Sequence, residues 1–169
     1  MDNQSEFLRL SFGSESLYLF VLDHLNRICC AKTHLAERFS EIAEDIRFTD
    51  LRLTIEATIK QVENQVAGMN RFYKLLKIEP SFNGCDELIA FLENSFSPIQ
   101  RDIIDVYVRD MSLLSYLTYI KSIEIASYAI LHLVANKIKS MPIRNLLNAD
   151  FEESRLDRAM LAQLTSKYA

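Results

Sequence analysis

Apolar residues recur at three- and four-residue intervals along four long stretches of the chain, the spacing that lines one face of an α-helix. Leu22, Leu25, Ile28, Leu35 and Phe39 follow the serine-bearing segment "FGSES" and predict a first helix over 15–44. After "RFTD" at 47–50, Thr49 or Asp50 offers an N-cap. From there Ile55, Ile59, Val62, Val66, Met69, Phe72 and Leu76 predict a second helix over 50–77. Leu113, Leu117, Ile120 and Leu131 lie within a third, over 99–139, with a break near Arg109. Pro142 suits the first turn of a fourth, over 142–167, whose inward face reads as Leu146, Ala149, Leu156 and Met160.

The short link between the first two helices makes them antiparallel neighbours. The segment "IEPSFNGCDELIAFLENSFSP" gathers Pro80, Gly84 and Pro98 around a short helix at about 86–94, and reads as a long crossover. A helix pair, a crossover and a second pair predict one all-α domain over 1–169, a ferritin-like four-helix bundle. Composition agrees, because three glycines and three prolines in 169 residues are too few for the turns of an all-β domain.

Each predicted apolar face carries a polar intruder near its middle. Lys32 interrupts the first, Thr58 and Gln65 the second, Glu124 the third and Glu153 the fourth. Singly, each reads as a rim residue or a side chain that reaches out to water. Intruders at similar depth on all four faces read differently, since bundles build metal and cofactor sites from polar side chains on facing helices. An ionised acid such as Glu124 must also be compensated if it is buried.

These stretches carry a resemblance. "EIASYAILHLVANKI" at 124–138, with Asp110 fourteen residues before Glu124, and "LLNADFEESRLDRAMLAQL" at 146–164 resemble the last two helices of the YciE/YciF-type ferritin-like stress proteins. "LDHLNRICCAKTHL" at 22–35 and "QVENQVAGMNRFYKLL" at 61–76 resemble the first two, and Cys85 falls where the family's crossover often has a cysteine. The resemblance implies a carboxylate site for two iron or manganese ions, and this chain departs from it. Lys32 stands in place of a glutamate, Thr58 and Gln61 in place of a histidine and a glutamate, and Lys121 at another acidic position. Glu124 and the Glu152–Glu153 pair are retained.

Charge then suggests that Lys32 and Lys121 neutralise Glu124 and Glu153, so that no metal or other cofactor is needed. The expected function is non-catalytic, through association with a second copy or another protein. The alternative is a residual iron or manganese site on Glu124 and Glu153, serving oxidoreductase or metal-storage chemistry.

The resemblance implies a role under stress and a dimer, and the third helix supplies a surface for one. Leu113, Leu114, Leu117, Ile120, Ile123, Ile125, Ile130, Leu131 and Leu133 spread over more than one face, although some can cover the crossover. A net charge of −4 without a basic cluster argues against nucleic-acid binding. The apolar runs fall short of the roughly 20 residues that span a bilayer, and "MDNQSEFLRL" lacks the features of a secretory leader. A cytoplasmic protein is expected, with Cys29, Cys30 and Cys85 as reduced, partly buried small hydrophobes. His24, His34 and His132 read as surface or rim residues.

Overall fold

The computed structural model describes residues 7, 10–76, 78–100 and 105–168, with 44 and 100 described by backbone alone. Helix α1 runs Glu15–Ile42 and begins where the Ser14 hydroxyl accepts from the Leu17 N–H. A 3-10 turn, Ala43–Asp45, leads to α2, Thr49–Leu76. Helix α3, Asp86–Gln100, lies in the long connection, followed by α4, Val106–Ala135, and α5, Met141–Ser166. No strand occurs among the described residues. Pro142 sits in the first turn of α5 as expected, where a missing N–H costs nothing.

Three boundaries differ from the sequence reading by more than two residues, one of them the end of the third long helix, which falls at Ala135 rather than at 139. Residues 95–100 extend the crossover helix through Pro98, so that 99 and 100 close it instead of opening the third long helix. The break falls before Val106 rather than at Arg109, because Asp105 caps α4 by accepting from the backbone N–H groups of Tyr107 and Val108. Position 77, the expected end of the second helix, and positions 101–104 lie outside the described residues, as do the first six positions.

The four long helices form a ring in which α1 packs on α2 and α4, and α5 packs on α4 and α2. Cross-helix pairs fix their directions. Tyr73 donates to Asn26 while Lys32 meets Gln65, so residue numbers fall along α2 as they rise along α1. Lys121 with Asp157 and His132 with Asn148 give α4 and α5 the same antiparallel sense. Lys32 with Glu124 and His34 with Tyr116 set α4 antiparallel to α1, so the connection carrying α3 returns along the bundle, and α3 packs against α4 and α1. The first hairpin is locked by Asp110, which is wholly buried and accepts from the backbone N–H groups of Arg47 and Phe48 at 3.0 and 2.9 Å.

The interior is two apolar blocks with a polar belt between them. One block gathers Leu35, Phe39, Ile55, Val62, Leu117 and Ile120; the other gathers Leu25, Ile28, Met69, Phe72, Leu131 and Leu147. Part of the apolar surplus on α4 is covered by the crossover helix, where Tyr116 packs its ring against Phe96. By length and composition α4 would suffice to cross a bilayer. Its charged middle is instead answered by α1 and α5, as follows.

Candidate functional site: a lysine–carboxylate ring

Lys32 lies four residues after Ile28 and three before Leu35, so the turn of α1 that buries those two also points the lysine inward. It is 1% exposed, and its Nζ lies 3.0 Å from Glu124 Oε2. The same ammonium donates to Gln65 Oε1. Lys121, one turn before Glu124, places its Nζ 3.3 Å from Glu124 Oε2 and 2.8 Å from Asp157 Oδ2. Gln61 Nε2 donates to Asp157 Oδ1 at 2.8 Å and to Glu153 Oε1 at 3.3 Å, and Gln65 Nε2 donates to the same Glu153 oxygen at 2.7 Å.

These contacts close on themselves. From Glu153 the path runs through Gln65, Lys32, Glu124, Lys121, Asp157 and Gln61 back to Glu153, and all four long helices contribute. Lys32, Lys121 and Gln61 donate to both of their ring neighbours and the three carboxylates accept from both of theirs, while Gln65 alone relays, accepting from Lys32 and donating to Glu153. Burial draws the Lys121 ammonium down, but Glu124 and Asp157 outweigh it and hold the group above the ordinary lysine range.

Of the residues singled out from sequence, Lys32, Gln61, Lys121 and Glu124 come together as ring members, whereas Thr58 is buried in α2 without belonging to the ring. Glu153 is only half buried, and amides rather than a lysine hold it. Its expected place beside the lysines belongs to Asp157, because the buried face of α5 is Ile143, Leu147, Ser154, Asp157, Leu161 and Leu164. Leu156 and Met160, read as inward, are 72% and 41% exposed.

A cavity of about 270 Å³ opens beside the ring between α2 and α5, lined by Gln65, Gly68, Glu124, Asp150 and Glu153 among others. Burial, then the neighbouring Glu153, pushes the Asp150 carboxyl up to about 6. Lys32 and the Tyr128 hydroxyl, which donates to Asp150, oppose that rise. Burial likewise carries the Tyr128 phenol well above its usual range. Glu124 Oε1 is buried and has no hydrogen-bond partner.

This donor set does not fit a two-metal carboxylate centre. Such a centre draws acids from all four helices and Glu-x-x-His pairs from two of them. Here α1 supplies an ammonium and α2 supplies amides, and a second ammonium bridges Glu124 and Asp157. Among the described residues no group of three His, Cys, Asp or Glu is placed to hold a metal ion.

A second polar unit escaped the sequence reading. His34 is buried rather than at the rim, with Nδ1 2.6 Å from the Tyr116 hydroxyl and Nε2 3.0 Å from Glu93 Oε1. Arg38 also donates to Glu93 and holds its carboxyl below the usual range. His24 is half buried against Phe20, whereas His132 is exposed and stacks on Phe151. Cys29, Cys30 and Cys85 are free, buried thiols, and burial with the adjacent Cys85 pushes Cys30 up to about 12, which suppresses its thiolate.

Residues 18–169 match the model of a family described as a domain of unknown function (DUF892). No curated protein and no solved structure matches the chain.

Proposed function

For a chain that belongs to the DUF892 family, we propose a divergent ferritin-like bundle, related to the YciE/YciF-type stress proteins, that is non-catalytic, folds without metal and acts by self-association. The single observation that supports this reading is the pair of ammonium groups within the ring. Lys32 and Lys121 lie 3.0 and 3.3 Å from the same Glu124 oxygen, where each supplies the positive charge a buried carboxylate requires. A divalent ion added at Glu124 and Glu153 would bring two positive charges to the side of Lys32, twice the repulsion that a singly charged group meets there, and that disfavours residual iron or manganese chemistry.

The association surface is a mostly apolar groove between α4 and α5, about 800 Å³, lined by Ile125, Ala126, Ala129, Leu161 and Ala162 among others. Leu133, one turn beyond Ala129, is 72% exposed. Small side chains along such a groove let a second copy approach closely.

The deciding experiment purifies the protein with and without chelator, measures bound iron and manganese by elemental analysis and follows thermal unfolding. We expect sub-stoichiometric metal and identical melting curves. Stoichiometric metal whose removal lowers the melting temperature would overturn the reading.

A further inference from the structure

Every donor group of the ring already serves an acceptor within it, and carboxylate oxygens are left over. Both glutamine amides are engaged by Glu153 and Asp157, and both ammonium groups by Glu124, Asp157 and Gln65. Toward the cavity three carboxylates add acceptor capacity beside Lys32, which spends two of its three N–H groups within the ring. Glu124, 1% exposed, lines the cavity and has an Oε1 without a partner, while Asp150 and Glu153 contribute carboxylates to the same wall.

Charge points the same way. Glu124, Asp150, Glu153 and Asp157 are four acidic groups against two ammonium groups, an excess of two formal negative charges around a part-enclosed space. A buried acceptor with nothing to accept from is costly, and so is uncompensated buried charge. One species relieves both: a cation that donates hydrogen bonds.

The cavity also has an entrance that the sequence leaves free. Gly68 lies in the interior of α2, where glycine is the least favoured ordinary residue after proline. A Cβ added there would meet nothing within 4 Å, so neither backbone conformation nor close packing calls for the glycine. Its lack of a side chain keeps the edge of the cavity open.

We propose that this cavity binds a small organic cation through a primary ammonium group, which donates to Glu124, Asp150 and Glu153 while its carbon tail lies past Gly68. The inference rests on Lys32 and Lys121 being the resident cations of the ring. A compact divalent ion needs its oxygens within about 2.0–2.6 Å of one point, and no group so placed exists among the described residues. An ammonium takes its acceptors farther out, at about 2.8 Å, and so tolerates a wider site. The cavity, about 270 Å³, lies just below the ~300 Å³ at which pockets for drug-sized ligands begin, so the ligand has few heavy atoms.

The test titrates the full chain, in chelator, with butylammonium chloride, against sodium chloride at matched ionic strength and against 1-butanol. The readouts are thermal unfolding and the side-chain amide resonances of Gln61, Gln65 and Asn64. The expected result is a saturable rise in melting temperature with butylammonium alone, accompanied by shifts of those amides. Glu153→Gln should weaken the apparent affinity about tenfold, the worth of one charge-assisted hydrogen bond. Gly68→Met should abolish binding while the protein stays folded and melts no lower. No saturable response to butylammonium, or a response that both variants retain, overturns the inference and leaves the lysine reading standing if the chelated protein is folded. Stoichiometric manganese binding to the chelator-free protein that Glu124→Gln removes overturns both.

Discussion

Lys32 Nζ stands 3.0 Å from Glu124 Oε2 with both side chains at or below 2% exposure, and the two residues are 92 positions apart in the chain. A pair so deeply enclosed exacts a large desolvation cost from each ion, and only the remaining ring contacts make it tolerable. Breaking one partner should therefore hurt more than removing both charges. Lys32→Met should destabilise the fold by about 3–5 kcal/mol in chemical denaturation, and Lys32→Met with Glu124→Gln by less. In the double variant Lys121 lies beside a neutral amide and still has Asp157 as its counter-ion, which is why the coupling should survive. A neutral Lys32→Met would refute the substituted-cation account.

The register of α5 makes a separate prediction. Asp157 accepts from Lys121 at 2.8 Å inside the bundle, whereas Glu153 holds only amides at its edge. Asp157→Asn should lower the denaturation midpoint clearly more than Glu153→Gln does. Equal costs would return Glu153 to the inward position that the sequence pattern assigned it.

That misassignment has a physical origin. Searching α5 for an apolar stripe selects Leu146, Ala149, Leu156 and Met160, yet the face that is buried contains Ser154 and Asp157. A face built to serve a polar belt is less apolar than its neighbour, so hydrophobic periodicity slips by one residue. On α1, α2 and α4 the intruders are flanked by strong apolar residues, and there Lys32, Gln65 and Glu124 were legible from spacing alone. The helices themselves were equally legible, because breakers are scarce and the stripes long. Where the crossover helix would lie was not, and so His34, on the face of α1 that α3 covers, read as a rim residue.

His34 and Tyr116 tie that crossover down. With Nε2 donating to Glu93 on α3, the ring accepts the Tyr116 hydroxyl at Nδ1, 2.6 Å away, and so joins α1, α3 and α4. Tyr116→Phe preserves the ring packing against Phe96 and Phe39 but leaves the histidine nitrogen unsatisfied. The loss should be about 1–3 kcal/mol. Amide exchange should accelerate first in α3. Acceleration spread evenly over the bundle would show that the contact does not hold the crossover in particular.

Self-association can be separated from folding. Ala126 is exposed in the α4–α5 groove, so Ala126→Glu adds charge to a surface that the isolated bundle does not bury. Light scattering should show dimers for the parent chain and monomers for the variant, with equal helicity by circular dichroism. A parent chain that remains monomeric over a wide concentration range would remove the self-association proposal.

Asp150 should set a pH dependence of the opposite sign to that of an ordinary ion-paired acid. Its carboxyl titrates near 6 in the folded protein against 3.8 for an unperturbed aspartate, so the folded state holds its proton more tightly than the unfolded state does. Stability from this group is complete below pH 3.8 and is lost as the pH rises through 6. Burial first, then Glu153 on its own helix, disfavours the anion, while Lys32 on α1 and the Tyr128 hydroxyl on α4 only partly restore it. Asp150→Asn keeps an acceptor for Tyr128 and cannot ionise. Its melting temperature should exceed that of the parent at pH 7.5, and the two should converge as the pH approaches 4. A variant that is less stable than the parent at pH 7.5 would mean that the ionised carboxylate is a net asset, held by Lys32 more strongly than Glu153 repels it.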